Sequence, residues 1–365
     1  MISVSVIISS YNKAQYIARA INSVLCQKYL DFEIICLDAG SSDGSREILS
    51  EIRDSRFRLY QVCNNGISAA KNLGVVLATK KFVTFLDADD YWEPNFLSEI
   101  NNLSEDYAGC QAYCTGYYRI AKSNKFPIQY HSGGLIELHD YLYFRTNGWG
   151  LHTSSFVIRK NSFNEYGGFP VNLFTRDGNK SWLVDCNGLI LASYDGYFWS
   201  GKSAKVTDEI KIPHVLRKYA DLRIEVPGCG GEDQFLHDNA IFKGKVAYSR
   251  GLLSNWSCDV PGQDSTLVHS LVYPTLIVIG LNISKLNIVY KRLIETYYFY
   301  QLVTPFKEIL VYGKVKNIAI LLTGNKFFDS VSAFNKITFP ISFLSYYLLF
   351  KFRKFKYKMN FGRSD

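Results

Sequence analysis

A chain of 365 residues accommodates one substantial α/β domain with an appendage, rather than three independent domains. With 47% hydrophobic and 20% charged residues the composition excludes pervasive disorder, because that apolar content can offset the entropy lost on folding. A net charge of +8 attracts anions, but nucleotide diphosphates, anionic lipids and nucleic acids all meet that description, so charge selects no partner.

MISVSVIIS lacks a basic stretch at its start and runs directly into polar SYNKAQ, which reads as a strand rather than an export signal. The eight cysteines stand singly at positions 26, 36, 63, 110, 114, 186, 229 and 258, with no CxxC pair, as expected of free cytosolic thiols. From Val4 to Ile8 a β-branched run leads into a segment where Ile17, Ile21, Val24 and Leu25 recur at helical spacing. FEIICLD then closes on Asp38, AGSSDGS supplies a turn, and a helix resumes. RFRLYQV, CNNGIS and AAKNLGVVLAT repeat the order of strand, loop and helix. Three such units predict a mostly parallel sheet with its working loops at the carboxyl ends of the strands.

The strand KFVTFLD runs into DADD, which gathers Asp87, Asp89 and Asp90 at such an end. Uncompensated carboxylates this close raise one another's pKa, whereas a divalent cation reverses the balance. Their oxygen ligands suit Mg²⁺ or Mn²⁺ bridging the protein and a diphosphate. The alternative is an acidic solvated turn closing a buried strand.

With these motifs in view, residues 2 to 260 resemble the inverting family 2 glycosyltransferases, which have a GT-A fold. VSVIISSYN, holding Ser10 and Asn12, resembles the family's opening strand and nucleotide-contacting loop, and LDAGSSDGS resembles its nucleobase motif. The resemblance implies that Asp38 contacts a uracil-type base and that Asp43 adds a contact or organises the loop. Ala39 stands where many members have a second acid. NNGISAAKNLG resembles the segment near the ribose and diphosphate, with Lys71 and Asn72 in its basic and asparagine positions. FLDADD resembles the metal motif, implying Asp87 near the nucleoside or sugar and Asp89 as the principal metal ligand. Without the resemblance, Asp38 reads as a cap or turn former and Lys71 as an exposed helix lysine.

Further on, HTSSFVIRKNSFNEYGGF resembles the family's crossing strand, with His152 approaching the acceptor or simply ending a strand. PGCGGEDQFLHDNAIFKG resembles the catalytic loop. The resemblance implies Asp233 as general base and Glu232 as its acceptor-positioning neighbour, where an isolated GED would read as a helix start. Asn239 stands where members often have an arginine, which removes one expected positive partner of the leaving group. The stretch 170–231 is longer than the usual connection and reads as an insertion containing a helix over HVLRKYADLRIEV. Its Trp182, Tyr194, Tyr197, Phe198 and Trp199 suit either an aromatic acceptor shelf or the buried face of a subdomain.

From residue 265 the chain turns apolar and aromatic, with segments too short or too interrupted to span a bilayer, and is expected to be mainly helical. KFRKFKYK interleaves basic and aromatic residues, as an anchor on an anionic membrane surface does; a soluble helical subdomain is the alternative. The local basic cluster and absence of a recognisable reading module leave no nucleic-acid partner expected.

The sequence therefore predicts a GT-A catalytic domain at 1–264, with the insertion at 170–231, and a basic amphipathic appendage at 265–365. The expected reaction is metal-dependent inverting transfer from an NDP-sugar, a UDP-sugar by preference, to a hydroxyl of a polysaccharide or lipid-linked glycan. The expected location is the cytoplasmic face of the membrane. The rival readings are a catalytically weak nucleotide-sugar-binding or assembly protein and a nucleotidyltransferase.

Overall fold

A computed structural model describes residues 1–64, 66–146, 150–175, 181–184, 189–194, 199–200, 204–205, 222–223 and 232–260. Val4–Ser10 (β1), Ala14–Leu25 (α1), Phe32–Asp38 (β2), Ser45–Ser50 (α2), Phe57–Gln61 (β3), Ile67–Leu77 (α3) and Phe82–Phe85 (β4) realise the repeated units. Tyr91–Trp92 (β5), Phe96–Asp106 (α4), Ala112–Ala121 (β6), Asn124–Ile128 (β7), Gly134–Leu135 (β8) and Leu138–Thr146 (α5) follow. Phe156–Arg159 (β9), Lys160–Glu165 (α6), Glu232–Lys243 (α7) and Val246–Ser257 (β16) complete the main layer.

Its sheet has the order β3-β2-β1-β4-β9-β6-β16-β5, with β7 added to β6 and β8 to β16. The first four strands are parallel, β9 runs antiparallel between β4 and β6, and β16 is parallel to β6. This is the mostly parallel α/β architecture that the sequence predicts.

Alternation along β1 explains why both sheet faces are covered. Val4, Val6 and Ile8 pack with Ile17, Ile21 and Val24 of α1 and Phe96 and Ile100 of α4, while Ile7 joins Val75 of α3 and Leu236 of α7. A strand buried on both faces has no room for polar alternation, hence the nearly continuous apolar run. Gly74 lets α3 approach closely: a Cβ there would lie 2.4 Å from Ile7 Cγ2 and 3.1 Å from Leu37 Cδ1. That approach draws Lys71, one turn earlier, into the sheet's carboxyl edge.

The described residues of 170–231, expected to be an insertion, form an antiparallel sheet. It comprises Val171–Thr175 (β10), Ser181–Val184 (β11), Leu189–Tyr194 (β12), Trp199–Ser200 (β13), Ala204–Lys205 (β14) and Leu222–Arg223 (β15). Here the helix expected over HVLRKYADLRIEV is corrected at its described residues, because Leu222 and Arg223 pair with Thr175 and Phe174 as a strand. Ladder pairing replaces the helical hydrogen bonds that local spacing favoured. The remainder of that segment, Tyr197, Phe198 and the whole appendage at 265–365 lie outside the described residues. Among the described residues no helix is long and apolar enough to cross a membrane.

Candidate active site

The carboxyl ends of β1 and β2 carry two interlocked loops. Asp38 is fully buried, accepts the Ser41 N–H at 3.4 Å and pairs with Arg46 Nε at 3.3 Å. Asn12, at φ 52°, accepts the Ser42 N–H through Oδ1 at 2.9 Å, and its own N–H donates to Ser41 Oγ at 2.9 Å. Asp43 accepts the Ala14 N–H at 2.9 Å and the Ser45 N–H at 3.0 Å. Burial works against its charge, but the hydrogen bonds from Ala14 and Ser45 prevail and hold its carboxyl below the usual range. Asp43 therefore organises the loop, and Asp38 both orders its own turn and marks the β2 terminus. Ser10 Oγ is buried without a hydrogen-bond partner among the described residues.

DADD forms the turn from β4 to β5, closed by the Asp90 N–H donating to the Asp87 carbonyl at 2.9 Å. The three acids divide their roles. Asp90 is fully buried and accepts Ser154 Oγ–H at 2.7 Å and the Ser257 N–H at 2.9 Å. Burial, with the charges of Asp87 and Asp89 beside it, pushes its carboxyl well above the ordinary range. It ties the turn to β16. Asp87 and Asp89 instead meet cations: Lys71 Nζ lies 2.9 Å from Asp87 Oδ1, and Lys13 Nζ lies 2.9 Å from Asp89 Oδ2.

Lys71 is only 1% exposed, so the exposed-lysine reading of this residue is overturned. Its ammonium also lies 3.5 Å from Asp233 Oδ1 in the first turn of α7, bringing the DADD and GGED motifs to one cation. Asp233 retains 35% exposure, which leaves its carboxylate accessible to a ligand. Glu232 begins the same helix beside it. Asn72 points its amide at the chain turn after α6, donating to the Phe169 carbonyl at 2.8 Å and accepting its N–H at 3.1 Å. Those bonds brace the α3 segment rather than extend toward a nucleotide. Asn239 donates through Nδ2 to the Phe235 carbonyl at 2.9 Å, within its own helix.

His152 lies between Tyr117 and Trp256, with ring centroids 5.0 and 5.3 Å away. Its Nε2 is 3.7 Å from Asp90 Oδ2, and its Nδ1 is buried without a hydrogen-bond partner among the described residues. Burial pushes its imidazole down to about 4, outweighing the charges of Asp87 and Asp233 that favour protonation. It is thus a neutral ring at neutral pH, beside the acids. Trp182 and Trp199 fall in β11 and β13, where backbone register pairs Trp182 with Leu173 and Ser193, and Trp199 with Tyr194.

Three contributors escaped the sequence reading: Lys13, Arg19 and Ser154. Arg19 donates to the Asp89 carbonyl at 2.6 Å and to Ser257 Oγ at 3.1 Å. Ser154, besides donating to Asp90, accepts the Asp87 N–H at 3.2 Å. Nothing in their local spacing distinguishes them, since each acts on a partner at least 64 positions away.

Residues 5–167 match the family described as "Glycosyl transferase family 2". An uncharacterized glycosyltransferase of Nostoc sp. is 44% identical over 100 residues, 27% of this chain and 31% of the relative. The glycosyltransferase GlyG of Streptococcus pneumoniae is 27% identical over 176 residues, 44% of this chain and 58% of the relative. The chain thus spans about a third of the first relative and somewhat over half of the second. In structure, the 1–349 fragment of S. aureus TarS, crystallised with UDP-GlcNAc, superposes with a TM-score of 0.56 at 15% identity, covering 82% of this chain and 72% of that one. The strand order and the acid turn after β4 belong to a GT-A-type, mostly parallel α/β fold, in which residues 5–167 are similar to the glycosyl transferase family 2.

Proposed function

We propose that the protein transfers a sugar, with inversion, from an NDP-sugar to a hydroxyl of a polysaccharide or lipid-linked glycan, with a UDP-sugar as the preferred donor. The observation that carries this reading is the convergence of Asp87 and Asp233 on the buried Lys71 ammonium. It puts a carboxylate suited to proton removal next to the turn suited to a diphosphate. The fold shared with a protein crystallised with UDP-GlcNAc supports the donor class.

In this reading Asp38 and the Asn12 loop receive the base, while Lys71 supplies positive charge near the diphosphate. Asp233 accepts the proton of the acceptor hydroxyl as that oxygen attacks the anomeric carbon from the face opposite the leaving group. One displacement inverts the configuration and requires no protein nucleophile. Asp89, with Asp87 beside it on the turn after β4, fits Mg²⁺ or Mn²⁺, because both offer hard oxygen donors. Asp89 and Asp87 would hold a divalent ion there, which would supply electrostatic stabilisation of the departing diphosphate. Among the described residues there is no group of three or more His, Cys, Asp or Glu side chains that could hold a metal ion, so Asp89 and Asp87 are the two acids assigned to it.

His152, held between two aromatic rings, is assigned to the acceptor side, as are Trp182 and Trp199 of the insertion. The basic aromatic segment at 351–358 favours an anionic membrane surface, which suits a lipid-linked acceptor on the cytoplasmic face. A screen of NDP-sugars with Mn²⁺, scored for donor hydrolysis and then for transfer to candidate glycans with anomeric analysis of the product, tests the reading. Failure to bind or turn over any NDP-sugar, or a product with retained configuration, overturns it. One observation favours a second reading, a nucleotide-sugar-binding assembly protein: Asn239 directs its amide into its own helix and gives the leaving group no charge. Donor binding without any product in the same screen selects that alternative.

A further inference from the structure

Lys13 occupies a position that the assignments above leave unused. Its backbone N–H donates to Ser45 Oγ at 2.8 Å, and Ser45 is in turn held by Asp43. The main chain of Lys13 is therefore fixed to the base-side loop. Its side chain nevertheless crosses to the other end of the site, where Nζ meets Asp89 Oδ2 at 2.9 Å with both side chains largely buried. A lysine ammonium is a compact charge on a flexible stem, so it can move several ångströms while its backbone stays anchored.

We infer that Lys13 is a placeholder cation: it neutralises Asp89 in the donor-free protein and passes to the donor's diphosphate when the divalent ion takes Asp89. The inference rests on the proposed reading that Asp89 receives that ion. Two cations crowding one carboxylate oxygen repel each other, so Lys13 must yield part of its contact to a metal. Its displacement is offset if an anion arrives together with the metal, which a nucleoside diphosphate does. Lys71 is less suited to this exchange because it is buried between Asp87 and Asp233. Asn239, tied to Phe235, adds no positive charge that would make Lys13 redundant.

The test uses the full chain and two probes, Mn²⁺ alone and UDP in excess EDTA, each followed by calorimetry. Lys13→Gln is expected to bind Mn²⁺ alone about 3- to 10-fold more tightly than wild type, because the competing charge is gone. The same variant is expected to bind UDP without metal about 3- to 10-fold more weakly, because a charge-assisted contact is lost. Lys13→Met, which cannot hydrogen-bond to Asp89, should move both affinities in the same directions, and Lys13→Arg, which keeps the charge, should show neither gain in Mn²⁺ affinity. Unchanged or weaker Mn²⁺ binding in Lys13→Gln and Lys13→Met, or unchanged UDP binding, overturns the inference. Asp89→Asn separates the two levels of argument. If wild type binds Mn²⁺, Asp89→Asn loses it and the Lys13 variants match wild type, the placeholder fails and the proposed function stands. If wild type binds neither Mn²⁺ nor UDP, both fail.

Discussion

Lys71 Nζ lies 3.5 Å from Asp233 Oδ1, although 162 positions separate the two residues in the chain. The pair joins the N-terminal strand-helix repeats to α7. An acid at the start of α7 thereby reaches the same crevice as the acids after β4, and the assignment of Asp233 as general base depends on that meeting.

Asp233→Asn should lower glycosyl transfer by about 10²- to 10⁴-fold when proton transfer limits the rate, because an amide of similar size cannot accept the proton. Donor affinity should change far less, since Asp38 and Asp89 stand on separate turns. Initial rates with an established acceptor, together with calorimetry for donor and Mn²⁺, check both halves. Glu232→Gln is expected to be milder, and a catalytic collapse in that variant alone would transfer the base assignment to Glu232.

The neutral imidazole of His152 makes a prediction about pH. Its folded value of about 4 lies below the ordinary 6.5, so between these limits the unfolded chain binds the proton and the folded one does not. Stability is therefore intact above pH 6.5 and is lost as pH falls toward about 4. His152→Phe keeps a ring between Tyr117 and Trp256 and cannot titrate. The stability of wild type relative to this variant should fall over that window by on the order of 3 kcal/mol, as read by denaturant unfolding at several pH values. Parallel curves for the two proteins would remove the shift from His152.

Gly74→Ala tests the packing that delivers Lys71 to the crevice. The new methyl would stand 2.4 Å from Ile7 Cγ2, closer than side-chain carbons approach, so α3 or the Ile7 side chain must shift. The expected cost is about 1–3 kcal/mol of stability, seen as a lower Tm, with donor affinity also reduced. A variant as stable as wild type would contradict the close approach.

Removing residues 351–365 should weaken binding to anionic liposomes while sparing hydrolysis of a soluble donor. KFRKFKYK carries five positive side chains, each contributing on the order of 1 kcal/mol at such a surface before overlap and screening. Flotation at two salt concentrations reads the effect. Equal, salt-insensitive binding with and without the segment would reject the anchor.

The order of the N-terminal elements was written in the sequence itself. β-branched runs ending in acids, glycine-rich turns and helical spacing gave the strand-helix units, because each pattern is local and matches one period. The same runs located Asp38 and Asp87 to Asp90 at strand ends. What the acids do there was decided by tertiary structure. Neighbouring Asp87, Asp89 and Asp90 look alike in sequence, yet one meets Lys71, one meets Lys13, and the third is buried against Ser154 and the Ser257 backbone. Lys71 appeared locally as a surface lysine until Gly74 allowed its helix close to β1 and Asp233 came within reach. The strand at Leu222–Arg223 likewise depended on β10, a partner that helical spacing within its own segment cannot report. Local periodicity fixes which elements form; burial, charge pairing and strand partners depend on residues far away in the chain, and only folding brings those together.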